Sequence, residues 1–415
     1  EKHMLEKVTG GDAEEERTHP LFRDCERGFA LRAQLVDGLL ESQMELLRDS
    51  IPERAQYILT WYGRKFNKML QRPLTEEDYE LREVGRPISE ERWMEYWAKA
   101  GPNKAADAAG THNNLFKSLK KMVRCEETGE DVAPASHVLD WFRRLLNVTL
   151  DTAHIYSDWA EEILCTLVKV PGSQDVNDTR PIGLVAILRN ALEGIEFDRI
   201  QMTWEETQHL AGTQNGFRTA KGTDDGRLIA TATSEDCYIY KKDAFVSNQD
   251  KKHAFDLMHR QGGAELGLLR LSVPRRTVRI NSKNDQKGRL RVRTAHGLAK
   301  GVFRESGGVQ GGRGSPAKWN ANEDPFNTAW EEREAGHMEV RASECMLIKV
   351  AGAAFADDKR FVQASFEQMD DLLRVSSDFT FFVGEEVRVS KSEYQIAVWT
   401  GRGNVLLNPP RSENR

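Results

Sequence analysis

Apolar positions recur at helical spacing over the first part of the chain. Leu31, Leu35 and Leu39 share one helix face, and Tyr57, Trp61 and Phe66 follow at near-helical intervals. Between them, Ser50-Ile51-Pro52-Glu53 reads as a helix start with proline in the first turn. Thr75-Glu76-Glu77-Asp78 reads as another start. A polar Gly/Ala/Asn stretch from Gly101 to Asn114 interrupts the pattern, and helix returns after Val138, with Leu139, Phe142, Leu145 and Leu146 on one side. From Leu164 onward short apolar runs alternate with helical segments and Gly-rich turns. That alternation predicts a mixed α/β (α+β) core. Residues 1–20 are polar and acid-rich and read as a disordered lead. No internal repeat is visible.

The longest nearly apolar run, Leu347 to Ala356, spans ten residues and contains Lys349. A membrane-spanning helix needs about 20, so no membrane attachment is expected. No basic-plus-apolar signal segment opens the chain, and five scattered cysteines fit the reduced thiols of an intracellular protein. Nuclear or cytoplasmic placement stays open. The chain starts at Glu1, which reads as a piece of something longer; its 415 residues suggest two or three units.

The formal net charge is −6, which by itself argues against a nucleic-acid partner. Its distribution changes that view. From Arg270 to Arg304 there are eleven Lys/Arg against the single acid Asp285, so this stretch carries +10 and the rest −16. Within it, Arg289-Leu290-Arg291-Val292-Arg293 alternates, so a strand would put three arginines on one face. Such a face suits a phosphate backbone.

Asp-Asp occurs at 224–225, 357–358 and 370–371, so the dipeptide alone carries no information. Asp224-Asp225 follows the turn Lys221-Gly222-Thr223 and reads as a helix cap. Asp370-Asp371 interrupts the amphipathic series Phe366, Met369, Leu372, Leu373 and reads as a wet helix face. Only Asp357-Asp358 stands between an apolar small-residue run and the apolar pair Phe361-Val362. That pattern predicts a β-hairpin with two carboxylates at its tip. Burying such a tip without a cation is costly. Asp250, at the end of a predicted strand before a helix, could meet it. Three carboxylates from two adjacent strands could hold two Mg²⁺ ions for phosphoryl transfer. Gly307 to Pro316 is Gly-rich but lacks the Gly-Lys-Ser/Thr ending of a P-loop.

Taken in order, these elements resemble the reverse transcriptases of non-LTR retrotransposons, the LINE-like family. The resemblance covers roughly residues 100 to 400. Gly101 to Leu115 stands where the family has its Gly-rich motif ahead of the fingers. Trp159, Lys169-Val170-Pro171-Gly172, Arg180-Pro181-Ile182 and Gln214-Asn215-Gly216-Phe217-Arg218 match further family elements. Asp250 to Asp256 is similar to motif A, Gln310-Gly311 with Ser315-Pro316 to motif B, Phe355-Ala356-Asp357-Asp358 to motif C, and Lys391-Ser392 to motif D. Separations of 60, 47 and 34 residues between Asp250, Gln310, Asp357 and Lys391 suit that polymerase palm.

The resemblance implies a right-hand polymerase. Its parts would be a helical N-terminal extension over 21–100, fingers over 101–235, a palm over 236–400, and only a tail or the start of a thumb over 401–415. The implied activity is RNA-directed DNA synthesis, adding dNTPs to a DNA primer on an RNA template with two Mg²⁺ ions, or Mn²⁺ in their place. Asp250 and Asp357 would ligate the ions, with Asp358 assisting. Lys169 and Arg180 would clamp the triphosphate, Phe255 would exclude a 2′-hydroxyl, Gln310 and Gly311 would pack near the template and incoming base, and Lys391 would protonate the pyrophosphate. No endonuclease, RNase H or zinc knuckle is visible, which would place such domains elsewhere in a longer protein. Two other readings stand beside this one. An inactive polymerase-like RNA-binding scaffold would fit the polar approach to Asp250 (Ser247-Asn248-Gln249), the cations Lys359-Arg360 after the acidic tip, and the short C-terminus. An RNA-dependent RNA polymerase shares the carboxylates, but the bulky Phe255 disfavours it.

Overall fold

The computed structural model describes residues 74–399, apart from a few short stretches, and 404–407. The lead 1–20, the helical series from Leu31 to Phe66 and the tail after 407 lie outside the described residues. In chain order the main elements are α1 (Glu90–Lys99), α2 (Ser136–Thr152), β1 (Glu161–Val168), β2 (Thr179–Val185), α3 (Ile187–Glu206), α4 (Thr223–Tyr240), β3 (Ala244–Gln249), α5 (Arg275–Gln286), β4 (Arg289–Thr294) and α6 (Ser315–Glu331). There follow β5 (Met338–Ser343), β6 (Met346–Val350), β7 (Gly352–Phe355), β8 (Asp358–Gln363), α7 (Phe366–Phe382), β9 (Glu393–Trp399) and β10 (Asn404–Leu407). The architecture is mixed helix and sheet. Side-chain caps set several boundaries. The Thr75 amide donates to Asp78 at 2.8 Å ahead of the short helix Glu76–Glu80. The Gly222 amide donates to Asp225 at 2.6 Å where α4 begins, and Ser365 accepts from the Gln368 amide where α7 begins.

Two units interleave along the chain. Of the described residues, one contains 74–203 and 271–317, the other 204–270 and 318 onward. In the first unit, β1 pairs antiparallel with β2 and parallel with β4. Trp93, Trp97, Phe116, Leu139, Leu146, Trp159, Leu192 and Ile195 form its core. Trp97 stacks on Phe116 with ring centroids 4.3 Å apart. Arg189, fully buried, bonds Glu193 and Glu162 at 2.9 Å each and Asp285 at 3.2 Å, which ties α3 to β1 and α5. Such an interior cation is tolerable only because every arm has a carboxylate.

Strand β4 alternates as expected: Leu290 and Val292 are buried, Arg289 and Arg293 exposed, and Arg291 half-buried. The basic stretch is nonetheless not one continuous surface. Arg304 is buried against Glu162 at 3.4 Å, and Arg270, in the second unit, is buried against Asp324. Those two charges are neutralised internally. Arg275, Arg276, Arg279, Arg289, Arg293 and Lys300 remain exposed.

In the second unit, a five-stranded antiparallel sheet among the described residues has the order β7-β8-β3-β9-β10. Period-two alternation gives each face of the sheet its own core. Ala244, Val246 and Val362 pack with Cys237 of α4 and with Met338 and Val340 of β5. Phe361 packs on the other face with Phe326 and Trp330 of α6 and Met369, Leu372 and Phe379 of α7. The apolar run Leu347–Ala356 is two strands and not one. It is broken at Ala351, and β7 opens on Gly352, whose φ of +130° suits glycine and whose missing side chain leaves room for Trp330 and the Arg360 carbonyl. The polar end of β3 is explained by its partners. Arg360 donates to Asn248 at 3.2 Å, and the Ser376 hydroxyl donates to Gln249 at 2.8 Å. No described helix is long and apolar enough to cross a membrane.

Candidate catalytic site

Strands β7 and β8 are joined by a two-residue turn, Ala356-Asp357, with Phe355 paired opposite Asp358. Ala356 has φ of +56°, while Asp357 is outside the left-handed region. A non-glycine residue keeps such a conformation only if its surroundings hold it. Gln214 does so. Its Oε1 accepts from the amides of Ala356 at 3.1 Å and Gly216 at 2.8 Å, and its Nε2 donates to the Ala356 carbonyl at 3.3 Å. The Asn215 amide donates to the Ala354 carbonyl and the Ala354 amide to the Thr213 carbonyl, each at 2.8 Å. Residues 213–216 therefore lie along β7 and grip the hairpin tip. The sequence shows the Gln-Asn-Gly-Phe element but gives no sign of this bracing role.

Gly216 is needed there because a Cβ would collide with the Ala356 amide nitrogen. Gly216→Ala should cost about 1–3 kcal/mol in urea unfolding, a typical overpacking penalty, and should lower any activity of the hairpin carboxylates more than it lowers stability. An unchanged unfolding midpoint would show that the tip does not depend on this contact.

Asp250 follows β3, which lies beside β8 with Gln249 opposite Lys359. The three carboxylates share one electrostatic field. Burial raises the pKa of Asp357, and Asp358 and Asp250 raise it further, with Lys251 opposing. Burial and Asp250 raise that of Asp358, with Lys391 opposing. Lys391, exposed on the short turn Val389–Lys391, is thus the cation facing Asp358. The same turn wraps Asp250. The Arg388 amide donates to the Asp250 carbonyl at 2.8 Å, and the Arg388 guanidinium stands 3.9 Å from Asp250 Oδ2. Arg388 did not stand out in the sequence, where it is one cation among many.

The donor set fits a hard divalent cation. All three groups are carboxylates, and Asp250 Oδ2 is a buried oxygen with no hydrogen-bond partner among the described residues. Among those residues no three His, Cys, Asp or Glu side chains are already drawn together tightly enough to hold a metal ion.

Phe255 is half-buried in the same unit. Its ring lies 5.0 Å from that of the fully buried Trp319 and meets Phe217 edge-on at 5.9 Å. In the other unit, Lys169 and Arg180 are exposed at the loop end of the β1–β2 hairpin, with no ionic partner among the described residues. The Gln310 carbonyl accepts from the Gly183 amide of β2 at 2.8 Å. Gly311, at φ of +124°, sits where a Cβ would come within 2.6 Å of the Gly183 carbonyl. The Gly-rich loop is therefore packed on β2 close in sequence to Arg180.

No family model matches the chain, and no curated protein matches it. Among solved structures it is similar to apo telomerase from Candida tropicalis truncated from its C-terminal domain, at 9% identity and TM-score 0.40, covering 72% of this chain and 66% of that one. It is also similar to telomerase from Candida tropicalis in complex with a TWJ fragment of telomeric RNA, at 8% identity and TM-score 0.41, covering 69% of this chain and 49% of that one. The chain spans less than two thirds of the length of either.

Proposed function

We propose that the chain is the polymerase region of a non-LTR, LINE-like reverse transcriptase, an RNA-directed DNA polymerase that adds dNTPs to a DNA primer on an RNA template. The observation that carries this reading is the placement of Asp250 at the end of β3 beside the Asp357-Asp358 tip of the β7–β8 hairpin, with Lys391 on the turn that precedes β9. In this reading Asp250 and Asp357, helped by Asp358, hold two Mg²⁺ ions, for which Mn²⁺ can substitute. When bound, such ions supply Lewis-acid stabilisation of the charge that develops on the reacting phosphate and sugar oxygens. Lys391 carries the proton for the departing pyrophosphate. Lys169 and Arg180 take the triphosphate, where a guanidinium can make paired contacts with its oxygens. Gln310 and Gly311 face the template and incoming base.

Primer extension on a homopolymer RNA template with dNTPs tests the reading. Preferential rNTP incorporation would make the chain an RNA polymerase. Template–primer binding with no incorporation in Mg²⁺ or Mn²⁺ would make it an inactive scaffold. That second reading drew on the polar end of β3 and on Lys359-Arg360, and these residues now have partners in the fold. The six exposed cations between Arg275 and Lys300 lead to a further expectation. The logarithm of RNA affinity should fall with the logarithm of salt at a slope of about −4, from roughly 0.7 per phosphate contact. A flat salt dependence in filter-binding or anisotropy titrations would place the template elsewhere.

A further inference from the structure

The residues directly after Asp250 and Asp358 are both lysines, and both are buried. Lys251 Nζ donates to Glu323 Oε1 at 2.6 Å and also to Glu385. Lys359 Nζ forms an ion pair with the other oxygen of the same group, Glu323 Oε2, at 2.6 Å. Asn322 Nδ2 donates to Glu323 at 3.0 Å and to Glu385 at 2.8 Å. Aromatic faces complete the lining, with Lys251 5.3 Å from the Trp319 ring and Lys359 4.0 Å from the Phe326 ring. Two cations and two anions cancel inside a core, where burying them costs more than burying apolar residues of the same size.

We propose that Glu323 is a positioning residue for the carboxylate site: it clamps the lysine beside each of the two aspartate-bearing strand ends and keeps their charge away from Asp250, Asp357 and Asp358. The inference rests on the reading that these aspartates hold divalent cations. One side chain reaches both lysines because β3 and β8 are neighbours, with Gln249 opposite Lys359. A one-residue slip between the strands would turn one lysine to the other face and break the clamp. Charge makes the second half of the argument. Lys251 Nζ is paired with two buried carboxylates, Glu323 and Glu385, and Lys359 Nζ with Glu323. Lys251 directly follows Asp250 and Lys359 directly follows Asp358, so each charge stands one residue from a site carboxylate. Without Glu323, two interior lysines would face one glutamate, and the surplus charge would compete with a metal ion for the aspartates.

Mn²⁺ binding to the full chain without nucleotide, followed by electron paramagnetic resonance, tests this. Glu323→Gln should weaken binding by about tenfold, the size of a single uncompensated charge acting at partial screening. Lys359→Met leaves Glu323 paired to Lys251 and should act in the opposite direction, tightening binding by about threefold. A purely structural clamp would weaken binding in both variants, so weaker or unchanged binding in Lys359→Met overturns the proposal even where Glu323→Gln fails to fold. Unchanged binding in a folded Glu323→Gln overturns it too. If the unsubstituted chain binds no Mn²⁺ sensitive to Asp357→Asn, it is the polymerase reading that fails.

Discussion

Asp357→Asn should abolish primer extension, with a loss of about a thousandfold or more, while template–primer binding is retained. Asparagine has the same shape and leaves the Ala356-Asp357 turn and the Gln214 brace intact, because every bond of that brace goes to the backbone of Ala356 or Gly216. What changes is one negative charge among three. Stability should move the other way. Burial first, and then Asp358 and Asp250, raise the pKa of Asp357. The folded chain therefore keeps a proton that the unfolded chain loses at ordinary carboxylate pH. Stability falls as pH rises from that ordinary range through the raised value, and at neutral pH the ionised group is a burden. In EDTA at pH 7 the variant should melt a few degrees higher than the unsubstituted chain, and at pH 3 the two should melt together. Incorporation surviving in Asp357→Asn would remove this carboxylate from the chemistry. Melting lowered at both pH values would make it a structural group.

The strand–turn–strand at Asp357-Asp358 was legible in the sequence because small apolar residues precede it and an apolar pair follows it. The Arg289-to-Arg293 strand was legible because period-two alternation needs no tertiary information. The caps at Thr75 and Asp225 were legible because capping is local. What could not be read depends on residues far apart in the chain. Gln214 braces a turn 142 residues away, and Lys251 meets Glu385 at a separation of 134. A lysine beside a catalytic-type aspartate reads as a misfit until its buried glutamate is known. For the same reason Arg270 and Arg304 read as part of a solvent-facing basic run. The exposed and the neutralised arginine look alike in sequence, and only the partner across the fold separates them.

Phe255→Val should raise ribonucleotide relative to deoxyribonucleotide incorporation by about tenfold to two-hundredfold, the range by which small volume changes in an apolar pocket alter discrimination. A ring that excludes a 2′-hydroxyl must be bulky, partly exposed to the sugar and unable to swing away. Phe255 is bulky, half-buried and packed against two other rings, as the proposed role requires. It is half-buried, its inner side lies 5.0 Å from the fully buried Trp319, and Phe217 holds its edge at 5.9 Å. Phe217 directly follows Gly216, where an added Cβ would collide with the Ala356 amide. Phe217→Ala, which leaves the gate ring in place but frees its edge, should relax sugar discrimination in the same direction and by less. Valine at 255 keeps the apolar contact with Ala254 and Met258, so the fold should survive the change. Single-nucleotide incorporation with paired dNTP and rNTP titrations reads the effect as a ratio of kcat/KM values. A ratio unchanged in Phe255→Val, with deoxyribonucleotide incorporation intact, would return Phe255 to the role of a core residue packed on Trp319.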